Sequence, residues 1–195
     1  LGAVVGFDDD AVSRHAMAKV EACKPLMDIL LNPHMPAQTA FTLLKQTIAN
    51  RFGYLLRTQP PELIRDAAEE FDSMVTTTLS RKHGVTPCSV SSQPTPEEVK
   101  NFILFHHHMH ASQKAGGLGI YSAAANAEAA FYAALNATAQ QVPHLFDNKN
   151  KSNLHRHLDQ AYDDLREAGI PTSEVFPVNE EGPVFSSSVL PQDKN

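Results

Sequence analysis

Three features of this 195-residue chain predict a mainly α-helical protein. Apolar residues recur at helical spacing in most long segments, prolines and capping residues stand where such segments begin, and strand-like alternation is confined to a short apolar start. The expected architecture is an antiparallel helical hairpin and bundle of about five to six helices, with a short extended N-terminal segment and a disordered C-terminal tail. Two cysteines, Cys23 and Cys88, exclude a disulfide framework or a four-cysteine zinc site within the chain. The formal charge of -6 argues against a module that holds nucleic acid by charge alone. No apolar run reaches the length of a membrane span and no signal peptide is legible, so an intracellular setting, nuclear or cytoplasmic, is expected without membrane contact.

LGAVVG at residues 1–6 reads as an extended lead-in. The aspartates Asp8, Asp9 and Asp10 precede a helical pattern, where carboxylates cap the first turn and complement its dipole. Val12, Ala16, Val20, Cys23, Met27 and Leu30 form the first stripe, and Pro25 should kink or divide that helix. Phe41, Leu44, Ile48, Phe52 and Leu55 then predict one helix ending near Thr58. Pro60 and Pro61 open another, with Ile64, Ala67, Phe71, Val75 and Thr78 inward and Glu62, Asp66 and Glu69 outward. These two helices form the expected hairpin over 36–83. Residues 84–95 are rich in Ser, Thr, Pro and Gln and read as a linker.

A second helical region is expected over 96–142. Thr95-Pro96-Glu97-Glu98 is a helix start, with a cap, a proline at the first position and acids in the first turn. The helix it begins carries Phe102, Phe105 and Met109 on one side and the run His106-His107-His108-Met109-His110. His106 and His110 are one turn apart, but no carboxylate or thiol accompanies them within a turn. A protein metal site takes three or four ligands, so no metal is expected here. Gly116, Gly117 and Gly119 lack the Lys-Ser/Thr of a phosphate loop and read as a structural turn. Ser122 should cap a helix with Ala124, Ala127, Phe131, Leu135 and Thr138 inward. A further helix is expected over 143–170, from Leu154, Leu158, Ala161 and Leu165, and a flexible tail over 171–195.

Three of these stretches carry a resemblance. MPAQTAFTLLKQTIANRFGYLLRTQPPELIRDAAEEFD, residues 35–72, resembles the segment downstream of the catalytic palm in reverse transcriptases of non-LTR retrotransposons. LGAVVG is similar to the lead-in to that family's thumb. AGGLGIYSAAANAEAAFYAAL, residues 115–135, is similar to its GGLGL stretch and the alanine-rich helix that follows. The resemblance covers roughly residues 1–140 and implies a thumb and connector region, a fragment beginning after the palm. It implies that the parent enzyme copies RNA into DNA with Mg²⁺ held by palm aspartates missing here, so that this chain has no cofactor and no catalytic residue of its own. The implied partners are the RNA/DNA template-primer duplex and the polymerase's own palm and fingers. The implied contacts to the nucleic-acid backbone are Lys45, Arg51, Arg57 and Arg65, although the helical wheel puts the first three on different faces. The His run departs from the family pattern. The alternative is a degenerate or repurposed helical protein-interaction domain without nucleic-acid function.

Overall fold

The computed structural model describes residues 8–85, 94–141, 163–167, 169, 178, 179, 182 and 183. LGAVVG and most of the linker, with Cys88, lie outside them. The chain forms two compact units, Leu1–Asn126 and Ala127–Asn195. The expected α-helical class holds. Seven α-helices of at least six residues are present among the described residues: α1 (Asp9–Glu21), α2 (Lys24–Leu30), α3 (Ala37–Leu43), α4 (Gly53–Thr58), α5 (Pro61–Lys82), α6 (Pro96–His110) and α7 (Ala123–Gln141).

In the first unit α5 is the central element, and it touches α1, α2, α3, α4 and α6. Pro60 and Pro61 start it as expected, because Gln59 before them is held extended and Pro61 needs no amide partner. Its 22 residues bury all five predicted inward positions, together with Ala68, Thr76, Leu79 and Ser80. The buried Ser80 hydroxyl donates to the Thr77 carbonyl, so the polar group enters the core with a partner. Asp8 caps α1 by accepting the Ala11 amide. Pro25 divides the first stripe, α2 beginning at Lys24, yet all six stripe residues are buried. Two bonds fasten these elements to α5. The Ser13 hydroxyl donates to the Leu63 carbonyl, and the Lys82 ammonium to that of Asn32.

The first arm of the hairpin differs from the single helix expected. After α3 the backbone widens into a π-helical segment, Leu44–Ile48, closed by the Ala49 amide on the Leu44 carbonyl at 2.9 Å. A turn follows before α4. The cause is local: Asn50 Nδ2 donates to the Lys45 and Gln46 carbonyls, and Gly53 has little helix preference. The inserted residue shifts the phase, so both Ile48 and Ala49, and both Leu55 and Leu56, are buried. Phe52, 2% exposed, stacks on Phe71 of α5 with ring centroids 5.2 Å apart.

α6 begins at the predicted start, and there a capping box forms, in which the Glu98 amide donates to Thr95 Oγ1 and the Thr95 amide to the Glu98 carboxylate. These bonds hold the Glu98 carboxyl below its usual range, the Thr95 backbone amide contributing most. Met109 is fully buried, while the adjacent Ile103 and Leu104 are exposed.

In the second unit Ala127, Phe131 and Tyr132 of α7 are buried. The inward face of α7 departs from the expected stripe. Ala123, still in the first unit, replaces Ala124 as its first buried residue, and in the second unit Leu135 is half-buried and Thr138 exposed. The face turns toward Tyr132, whose ring carries more apolar area than Thr138. Residues 163–167 are helical with Leu165 buried, whereas Leu154, Leu158 and Ala161 lie outside the described residues. Of the tail, the described part is an antiparallel pairing of β1 (Val178–Asn179) with β2 (Gly182–Pro183).

Candidate functional site

The π-helical segment and the glycine turn build one site within the first unit. After α6 a 3₁₀ turn, Gln113–Ala115, is capped by the Ser112 hydroxyl and ends on Gly116, whose φ of 82° suits glycine. A Cβ on Gly117 would stand 2.2 Å from the Ala111 carbonyl oxygen, so that position admits only glycine without backbone movement. Gly119, at φ 64°, lets the chain turn back toward the π-helical segment. The three glycines are thus a structural turn, as their spacing predicts.

The turn is bonded to the hairpin at three places. Lys45 Nζ donates to the Leu118 carbonyl at 2.8 Å, and the Tyr121 hydroxyl donates to the Ala49 carbonyl at 2.5 Å. Asp72 of α5 accepts from the Ser122 hydroxyl and from the Ala123 and Ala124 amides, at 2.6, 2.7 and 3.0 Å. Ser122 itself accepts the Ala125 amide, the cap its position predicts. The start of α7 is therefore held twice, by its own serine and by a carboxylate 50 residues earlier. Burial pushes the Tyr121 phenol up, the Asp72 charge adds to the rise and the Arg57 charge opposes it.

Between the π-helical segment and the turn lies a cavity of about 510 Å³. Phe41, Ala49 and Ile120 supply apolar wall, and Lys45, Gln46, Asn50 and Gln113 supply polar groups. Among the described residues no carboxylate lines it. Lys45 Nζ also stands 5.7 Å from the centre of the Phe41 ring. π-Helical turns are frequent at functional sites because they re-aim side chains that an α-helix would keep in register.

The four basic residues expected to meet nucleic acid have different surroundings. Lys45 is half-buried at the cavity. Arg51 is exposed in the turn before α4, and its charge reaches Cys23, whose thiol burial nevertheless pushes up. Arg57 is exposed on α4 and donates from Nε to the Gly53 carbonyl. Arg65 is exposed on α5, on a helix whose outer positions Glu62, Asp66 and Glu69 are acidic and exposed as expected. Asp66, Glu69 and Glu70 border a second depression with Glu21 of α1.

On α6 the His106 and His110 rings meet edge to face, 4.6 Å between centroids. His110 Nδ1 lies 2.8 Å from the Ile120 carbonyl oxygen, which requires its protonated tautomer. His106 is exposed, yet partial desolvation lowers its pKa, His110 and His107 lower it further, and Asp72 opposes them. Among the described residues no three or more His, Cys, Asp or Glu are grouped to hold a metal ion. None of the described helices is long and apolar enough to cross a membrane.

Sequence reasoning missed Asp72, Asn50, Gln113 and Tyr121. No sequence signal marks the phase shift, since the burial of both Ile48 and Ala49 shows only in the fold. No local signal marks Asp72, whose partners lie across the fold. No family model, curated protein or solved structure matches this chain.

Proposed function

We propose that the chain is the thumb and connector region of a non-LTR-type reverse transcriptase, positioning the RNA/DNA template-primer duplex without catalysing its extension. One observation supports this reading above others: the two stretches that carry the resemblance, 35–72 and 115–135, are bonded to each other at Lys45–Leu118, Tyr121–Ala49 and Asp72–Ser122. Segments that belong to one functional unit of a parent enzyme are expected to pack as one body. In this role Arg51 and Arg57, both exposed, reach phosphates, Lys45 and Arg65 add to the field, and Mg²⁺ belongs to the palm of the parent polymerase.

The net charge of -6 means the chain alone holds a duplex weakly. Fluorescence anisotropy with RNA/DNA hybrids of two unrelated sequences should show weak binding at low salt that fades at physiological salt and favours neither sequence. Arg51→Ala and Arg57→Ala should each lower the slope of log affinity against log salt by about 1. Tight or sequence-selective binding at physiological salt would refute the proposal.

A second reading, a helical protein-interaction module, is favoured by the exposure of Ile103 and Leu104, 48% and 57%. Absence of hybrid binding even at low salt would select it.

A further inference from the structure

We infer that the cavity between the π-helical segment and the glycine turn binds a nucleoside monophosphate unit, either free or as one residue of a single strand. The inference goes beyond duplex positioning, which grips sugar and phosphate, and does not depend on it. Its volume of about 510 Å³ falls within the roughly 300–1,000 Å³ usual for small-molecule sites.

The lining selects the chemistry. Lys45 has three N–H donors and gives one to Leu118, leaving two for an anion. Among the described residues no carboxylate lines the cavity, so an anion entering there meets no like charge from them. Gln46 and Gln113 are exposed, and among the described residues their side-chain amides take no hydrogen bond, so each offers a donor and an acceptor. Asn50 spends both donors on the Lys45 and Gln46 carbonyls and keeps Oδ1 as an acceptor. A planar heterocycle with adjacent donors and acceptors satisfies such a set, and Phe41 and Ile120 offer apolar contact to its faces. A phosphate on the same ligand satisfies Lys45. An inorganic anion would use the lysine and leave the amides unused, and an apolar ligand would strand all of them.

The test is a ¹H–¹⁵N titration of the full chain with AMP and UMP, with a uridine hexanucleotide, and with inorganic phosphate. Both mononucleotides or the hexanucleotide should shift amides within 41–50 and 113–121, with a dissociation constant of about 1 mM or tighter. A mononucleotide that binds as well as the hexanucleotide assigns the site to free nucleotide, and a tighter hexanucleotide assigns it to a strand. The double variant Gln46→Ala/Gln113→Ala leaves the Lys45–Leu118 and Tyr121–Ala49 bonds in place, so it should fold as the parent does and bind at least tenfold more weakly. Three results would overturn the inference: no shifts at several millimolar nucleotide, phosphate shifting the same amides with equal affinity, or unchanged nucleotide affinity in the folded double variant. Hybrid-duplex binding should be indifferent to the double variant, so failure here is separable from failure of the thumb reading.

Discussion

Phe52 shows how one side chain joins local pattern to tertiary packing. It lies after the π-helical segment, where the backbone has left the α period, and still buries its ring against Phe71. Phe52→Ala removes both the buried area and the stacked pair, and chemical denaturation should show a loss of about 3–5 kcal/mol. An unchanged unfolding midpoint would mean that the ring is not packed as described. Asp72 acts differently, because it satisfies amides at the start of another helix. Asp72→Ala leaves the Ser122 cap in place but frees two α7 amides, and should cost about 1–3 kcal/mol. Asp72→Asn should recover only part of this, since one amide oxygen cannot replace two carboxylate oxygens.

α6 is where titration becomes visible. The folded state lowers the His106 pKa below 6.5, so the unfolded chain binds the proton more readily. This contribution to stability is complete above about pH 6.5 and is lost as pH falls through the folded pKa. The lowered Glu98 carboxyl acts the same way in a separate window, below its ordinary value of 4.5. Thermal melts should therefore fall from pH 7 to pH 5, and His106→Gln should flatten that fall while leaving the loss below pH 4.5. A parallel profile in the variant would remove His106 from the account. The same helix should bind Zn²⁺ only weakly and without stoichiometry. A one-to-one complex lost on His106→Ala and on His110→Ala would contradict this.

Across the first unit, α5 receives its neighbours on one apolar face and presents acids on the other, so its surface field opposes phosphate approach. Any grip on a duplex must come from elsewhere, from Arg51 and Arg57 near the hairpin turn. Cys23 tests the integrity of this unit directly: it is 3% exposed, and burial pushes its thiol up. In a Cys88→Ser background, its reaction with a disulfide reagent should be at least tenfold slower in the native chain than in denaturant. Equal rates would show that the junction of α1 and α2 opens freely.

The helices, their prolines and their caps were legible because each depends on residues within a few positions of one another. The stripe from Val12 to Leu30, the division at Pro25, the proline start of α5, the capped start at Thr95 and the Ser122 cap are all local matters of period, φ restriction and hydrogen-bond reach. The glycine turn was legible for the same reason. What tertiary structure alone decided is where long-range partners stand. The Asn50 bonds that widen the π-helical segment are local, but the place of Phe52 on Phe71 is not, and a helical wheel assumes a constant period that breaks here. Lys45 was an implied contact to the nucleic-acid backbone in sequence, but the Leu118 carbonyl, 73 residues away, draws it into the cavity wall. Asp72 and Tyr121 gained their roles from partners 50 and 72 residues distant. Sequence carries such pairings only through the whole fold, because the free energy of each bond depends on two backbones first being brought within about 3 Å.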